Sequence, residues 1–250
     1  METINHLWSP APKDLILADN EVHVWRARLE LPLSQVQELR GILTDDELAR
    51  ANRFSFEIDR QRFIAARGTL RSILSRYITI SPRHLRFYYN QYGKPFLAPE
   101  LSSYLLNFNL SHSGSMALYA IARNMEIGVD VERVRSDFDY EEIAERFFLA
   151  NEVAILHSIP IEKKLEAFYN SWTRKEAYIK AHGKGLSLPL DSVDVSFAPR
   201  EQSTLLITKD EPEESAHWTL LDLKPGIGYV GALAVKGIGF KLRYWAWSHL

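Results

Sequence analysis

In Glu21–Leu29, EVHVWRARL, apolar Val22, Val24 and Ala27 fall among polar neighbours, a spacing that predicts a β-strand. The period then lengthens. From Thr44 to Tyr77 apolar positions recur three and four apart among helix-forming residues, with a weak point near Phe54–Ile58. Thr44-Asp45-Asp46-Glu47 has the pattern of a capping box, in which the glutamate accepts from the backbone N–H at the helix start, and Ser81-Pro82 closes the helical stretch. Short strands are expected at Leu85–Tyr89, Leu105–Leu110 and Met116–Ala122, separated by turns at Tyr92-Gly93-Lys94-Pro95 and His112-Ser113-Gly114-Ser115.

The pattern then starts again. Glu126–Val134 predicts a strand, Tyr140–Leu156 and Glu162–His182 predict helices, and strands are expected at Ser192–Phe197, Thr204–Thr208, Trp218–Leu223, Tyr229–Val235 and Phe240–Trp247. Setting Glu21 against Glu126 also sets Glu47 against Glu152, and after a short slippage Arg67 against Lys175. Identity between the two stretches is low, so the recurrence lies in the order of elements. The expectation is an α+β pseudo-dimer of similar halves, residues 1–124 and 125–250, with a site between them that needs one copy of its chemistry. Opposite Asp130, Glu132 and Glu176 the first half has only Trp25, Ala27 and Gly68.

With 46% hydrophobic and 12% aromatic residues, 250 residues can bury a substantial core. The net charge of −2 gives no general nucleic-acid or membrane surface, so any polyanion site is local. There is no cysteine, which removes disulfides, thiolate zinc sites and cysteine nucleophiles, and no stretch approaches the ~18 apolar residues of a membrane span. A soluble cytoplasmic protein is expected.

Four groups of residues carry candidate chemistry. Asp130 and Glu132, two apart on a strand, point to one face while Val129 and Val131 enter the core; such a pair is either a solvated strand face or a site for a hard cation such as Mg²⁺. Trp172, Glu176 and Lys180 form one helical stripe, either a surface ion pair or, with Arg174, Lys175 and Lys184 nearby, a place for a diphosphate and its metal. Asn109-Leu110-Ser111-His112-Ser113-Gly114 lacks the Gly-x-Ser-x-Gly turn of a serine hydrolase; His112 either donates to phosphate oxygens or caps its turn. Arg50, Arg53, Arg60, Arg62, Arg67 and Arg71 are mainly solvated helix faces, of which one or two could bind a phosphate.

Taken in order, GKP at Gly93–Pro95, FNLSHS at Phe108–Ser113, IGVDVE at Ile127–Glu132, FF before Glu152, and WTRKEAYIKAHGKGL at Trp172–Leu186 resemble the motif series of the 4′-phosphopantetheinyl transferases of the surfactin-synthetase type. Members of that class are monomers of two homologous α+β halves with the active site between them. The resemblance implies transfer of the phosphopantetheine arm of coenzyme A to a serine of an apo acyl or peptidyl carrier protein, with release of 3′,5′-ADP. It implies that Asp130, Glu132 and Glu176 bind Mg²⁺, for which Mn²⁺ can substitute. Lys175, Lys180 and His112 would hold the coenzyme A phosphates, and Asn109, Ser111, Gly93 and Lys94 would line the nucleotide site. Arg67 would contact the 3′-phosphate.

Glu152 is the base that the resemblance suggests, with a helix-start carboxylate as the other reading. One departure stands out: acidic Glu47 occupies a place where the family often has a basic residue, with Arg50 three residues later. The carrier is expected to dock near Gly183–Leu190. The rival readings are another Mg²⁺-dependent nucleotide transferase and a degenerate pseudo-dimer that only binds.

Overall fold

A computed structural model describes residues 8–195, 207–208 and 217–248. After a short first strand, β1 (Ser9–Pro10), one series of elements occurs twice. Its first pass is β2 (Glu21–Arg28), α1 (Leu33–Gly41), α2 (Asp45–Ala51), α3 (Glu57–Leu74), β3 (Phe87–Tyr89), β4 (Pro95–Leu97), β5 (Leu106–Ser113) and β6 (Met116–Arg123). The second is β7 (Ile127–Arg133), α4 (Tyr140–Phe147), α5 (Ala150–Ser158), α6 (Ile161–His182), β8 (Val193–Asp194), β9 (Ile207–Thr208), β10 (Trp218–Gly226) and β11 (Tyr229–Lys236). The order strand, three helices, small hairpin, large hairpin repeats element for element, as the α+β reading with two similar halves expects.

Three details differ from expectation. The helix α1 has no sequence forecast, since only Val36 and Leu39 of its nine residues are buried. Tyr140–Leu156 is two helices, because the chain is extended at Phe148 and Leu149. The final strand β12 (Lys241–Ala246) leaves the second half and pairs in parallel with β2, so one sheet runs β1-β12-β2-β6-β5 and the other β10-β11-β7. The residues 196–197 and 204–206 of two expected strands lie outside the described residues.

Alternation along the strands builds four layers. Val22 and Val24 of β2 and Ile127, Val129 and Val131 of β7 share a core between the two sheets. The opposite faces take the helices, Trp25 and Ala27 packing with Ile64, Leu70 and Ile73 of α3. On the other side Ala177 and Ala181 of α6 lie over Ala232 and Ala234 of β11. The helix α6 also comes very close to β7: a Cβ added at Gly128 would collide with the backbone at Ala177 and Ala181.

No backbone ladder joins β5 to β7, and alternate side chains of β5 bridge them instead. Asn107 Nδ2 donates to Met125 O (3.0 Å), Asn109 Oδ1 accepts from Val129 N (2.9 Å), Ser111 Oγ donates to Asp130 Oδ1 (2.8 Å) and Ser113 Oγ donates to Glu132 Oε2 (2.8 Å). The two halves therefore meet where the acids of β7 face polar side chains of the first half.

Candidate active site

Asp130 and Glu132 sit on the face of β7 covered by α6, the helix that carries Glu176 and Lys180 four residues apart. Asp130 is buried. Its Oδ1 accepts from Ser111 Oγ and lies 2.5 Å from Lys180 Nζ, which also donates to Ser111 Oγ at 2.8 Å. Its Oδ2 is equally buried and has no hydrogen-bond partner among the described residues.

Burial first, then the charges of Asp130 and Glu176, raise the Glu132 pKa against the opposing effects of Ser113 and Lys180. Burial also raises that of Glu176, with Asp130 adding and Lys180 opposing. Three carboxylates thus face one ammonium, an excess of negative charge that favours a cation.

Among the described residues no group of three or more His, Asp or Glu side chains stands ready to hold a metal ion. A magnesium ion does not need such a cage, since it takes one or two carboxylates and completes its shell with water and phosphate oxygens. The unpartnered Asp130 Oδ2 and the mutual repulsion of the acids fit that use.

Beyond the acids opens a cleft of ≈780 Å³ in the first half, lined among others by Arg50, Arg53, Arg67, Tyr89, Gly93 and His112. His112 links the two regions, because both Lys180 and Arg50 act on it. Its ring is reachable by solvent at the wall of the cleft, yet the depth of its surroundings, with those two cations, lowers its pKa. The imidazole is therefore neutral at pH 7 and offers one N–H.

A second cavity of ≈490 Å³ lies behind the Arg67–Glu47 pair, lined by Arg71, Arg83 and Arg86 together with Asp45 and Asp46. It has more polar lining but touches no residue of the acid site.

The structure brings Asp130, Glu132, Glu176, Lys180, Ser111 and His112 together and takes the other expected residues elsewhere. Glu152 is wholly buried: Oε2 accepts from Leu149 N (2.9 Å) and lies 2.8 Å from Lys175 Nζ, and Oε1 accepts from Val195 N (3.0 Å). Both oxygens are engaged away from the cleft, so the helix-start reading replaces that of a base. Lys175 is buried too, and donates to Leu190 O (2.9 Å) and Val193 O besides pairing with Glu152. It has no proton left for a coenzyme phosphate.

Asn109 is spent on Val129 N, and Lys94 Nζ turns away from the cleft to Ala181 O (2.7 Å) and Ile127 O (3.3 Å). Gly93, at φ 85°, makes the turn that leaves it in the cleft lining. Arg67 lines the cleft, but its Nε donates to Glu47 Oε1 (2.5 Å), its Nη2 to Tyr89 OH (2.5 Å), and its guanidinium stacks on Phe87 at 4.2 Å. Exposed Arg50 and Arg53 are the less committed cations there. From the sequence both belong to a group of mainly solvated arginines of which one or two could bind a phosphate, and Arg50 stands out beside the Glu47 departure; Arg53 follows it at a spacing of three.

Residues 126–234 match the model of the 4′-phosphopantetheinyl transferase superfamily, and residues 32–124 match a 4′-phosphopantetheinyl transferase N-terminal model. The chain is 42% identical to the 4′-phosphopantetheinyl transferase HetI of Nostoc sp., over 97% of this chain and 99% of that protein. It is 34% identical to Sfp of Bacillus subtilis, also a 4′-phosphopantetheinyl transferase, over 67% of this chain and 73% of that one. It is 27% identical to the human L-aminoadipate-semialdehyde dehydrogenase-phosphopantetheinyl transferase, over 76% and 66% respectively.

Proposed function

Because this chain belongs to the 4′-phosphopantetheinyl transferase family and moves phosphopantetheine to a carrier protein, we propose that it does so from coenzyme A with Mg²⁺, releasing 3′,5′-ADP. The observation that carries the reading is the uncompensated acid cluster of Asp130, Glu132 and Glu176 beside Lys180, joined through His112 to a cleft lined with arginines.

Asp130, through its unpartnered Oδ2, would hold the ion with one of Glu132 and Glu176, the other acting through a water of its shell. Bound there, Mg²⁺ would withdraw charge from the diphosphate oxygens. The Lys180 side chain is 30% exposed and can turn from Asp130 to the diphosphate, where its ammonium offsets charge developing on the leaving nucleotide. His112 donates a ring N–H to the same oxygens. Arg50 and Arg53 meet the 3′-phosphate from the far wall of the cleft, with Arg67 held behind them by Glu47. The carrier serine oxygen bonds to the β-phosphorus as the bond from that phosphorus to the nucleotide oxygen breaks; the hydroxyl proton passes to water, and 3′,5′-ADP leaves with the bridging oxygen.

One chain supplies both halves of this site, which supports a monomer. Among the described residues no helix is long and apolar enough to cross a membrane.

The test is incubation with coenzyme A, Mg²⁺ and an apo carrier protein. The carrier should gain the mass of one phosphopantetheine arm, with one 3′,5′-ADP released per arm. Asp130→Ala should lower the rate by about 10²-fold or more while remaining folded. Transfer that continues undiminished in excess EDTA would refute the metal.

A further inference from the structure

The hairpin of β3 and β4 belongs to the first half, but its tip grips the second. Lys94 Nζ donates to Ala181 O, one of the last carbonyls of α6, and to Ile127 O, the first residue of β7. Ala181 O is among the last four carbonyls of α6, which have no partner within the helix, and a lysine is a good donor for them. Asn90 completes the grip: its Nδ2 donates to Gly183 O (2.7 Å), while its Oδ1 accepts from Tyr92 N and Lys94 N (both 3.0 Å) and so shapes the turn. Gly183, at φ 70°, leaves room for the lysine stem, since a Cβ there would lie 2.9 Å from Lys94 Cδ.

The two elements held by Lys94 are those that carry the acid cluster. Asp130 is three residues along β7 from Ile127, and Lys180 directly precedes Ala181 on α6. Next to this grip, Gly128 lets helix and strand touch without a side chain between them. The Lys180–Asp130 ion pair ties the same two elements through side chains, and Lys94 ties them through their backbones.

We propose that Lys94, with Asn90, is a positioning residue: it fixes the end of α6 against β7 and thereby sets Glu176 and Lys180 relative to Asp130 and Glu132, without touching coenzyme A. This rests on the metal-dependent reading above.

The test is Mn²⁺ binding, followed by electron paramagnetic resonance at saturating coenzyme A, in the wild type, Lys94→Met, Lys94→Arg and Asn90→Ala. Lys94→Met should weaken Mn²⁺ binding roughly tenfold, the usual scale for losing a residue that orients metal ligands. Lys94→Arg should recover part of the loss, and the KM for the carrier should not change. Asn90→Ala leaves the lysine in place and should shift Mn²⁺ binding in the same direction by less, which keeps the test open if Lys94→Met does not fold. Normal Mn²⁺ binding combined with weaker coenzyme A binding would make Lys94 a direct ligand and overturn the proposal. A lower melting temperature with both affinities normal would leave it a structural clip and overturn it equally. A wild type that binds no Mn²⁺ would remove the metal reading and this inference together, before any variant is made.

Discussion

Lys175 Nζ and Glu152 Oε2 lie 2.8 Å apart in the core of the second half, and the first half repeats the arrangement with Arg71 Nε and Glu47 Oε2 at 2.7 Å. Each glutamate also accepts from the backbone N–H that opens its own helix, Leu149 N or Thr44 N. Each cation bonds two carbonyls three residues apart in the segment that follows: Leu190 and Val193 for Lys175, Pro82 and Leu85 for Arg71. The counterpart of Lys175 is therefore Arg71, four residues beyond the Arg67 that the sequence alignment of the halves selects.

Such a pair is structural, and Glu152→Gln should show it. The substitution leaves the Lys175 charge buried without its partner, which costs about 3–5 kcal/mol. The expected result is a large loss in a denaturant titration, with kcat per folded molecule close to the wild-type value. A fall in kcat of tenfold or more with stability intact would restore Glu152 as a base.

The acid cluster predicts how stability depends on pH. Glu132 and Glu176 have folded pKa values raised by burial and by neighbouring carboxylates. Between the ordinary carboxylate pKa and the raised values the native state binds more protons than the unfolded chain, so stability falls as pH rises through that window. Asp130→Asn removes one like charge and should flatten the slope, and Mg²⁺ should reverse it. Equal slopes for the wild type and Asp130→Asn in thermal melts across the window would count against the cluster.

Without metal, Lys180 is the counter-ion of Asp130. Lys180→Met should therefore bind Mn²⁺ in the absence of coenzyme A more tightly than the wild type, by roughly tenfold, because a competing charge a few ångströms away is gone. The same variant should transfer slowly. Weaker Mn²⁺ binding would mean that Lys180 does not compete with the ion.

In the cleft, Arg50→Glu should raise the KM for coenzyme A by about 10–100-fold, the cost of a charge-assisted hydrogen bond or two. Dephospho-coenzyme A, which lacks the 3′-phosphate, should be affected far less. An equal effect on both substrates would place the 3′-phosphate elsewhere.

Much of the acid site was readable because its residues obey simple periods. Asp130 and Glu132 alternate with valines that must be buried, and Glu176 and Lys180 are one helical turn apart on α6. Adjacent residues were harder. Lys175 and Glu176 differ by one position, about 100° around the helix, so one enters the core and the other faces β7. Nothing in the run RKEAYIK distinguishes the buried cation from the one beside Asp130. Gly93 and Lys94 share a motif and part company for the same reason, the turn putting one in the cleft lining and the other against α6. The return of β12 to the first sheet was invisible, since a strand's period gives its faces and not its neighbour.

The most direct measurement is a crystal structure with coenzyme A and Mn²⁺, read by the anomalous signal of the metal. The account predicts one peak per chain at Asp130, Glu132 and Glu176, the diphosphate beside it against Lys180 and His112, and the 3′-phosphate against Arg50 and Arg53. Coenzyme A lying in the cavity of Arg71, Arg83 and Arg86, or a metal peak away from Asp130, would contradict it.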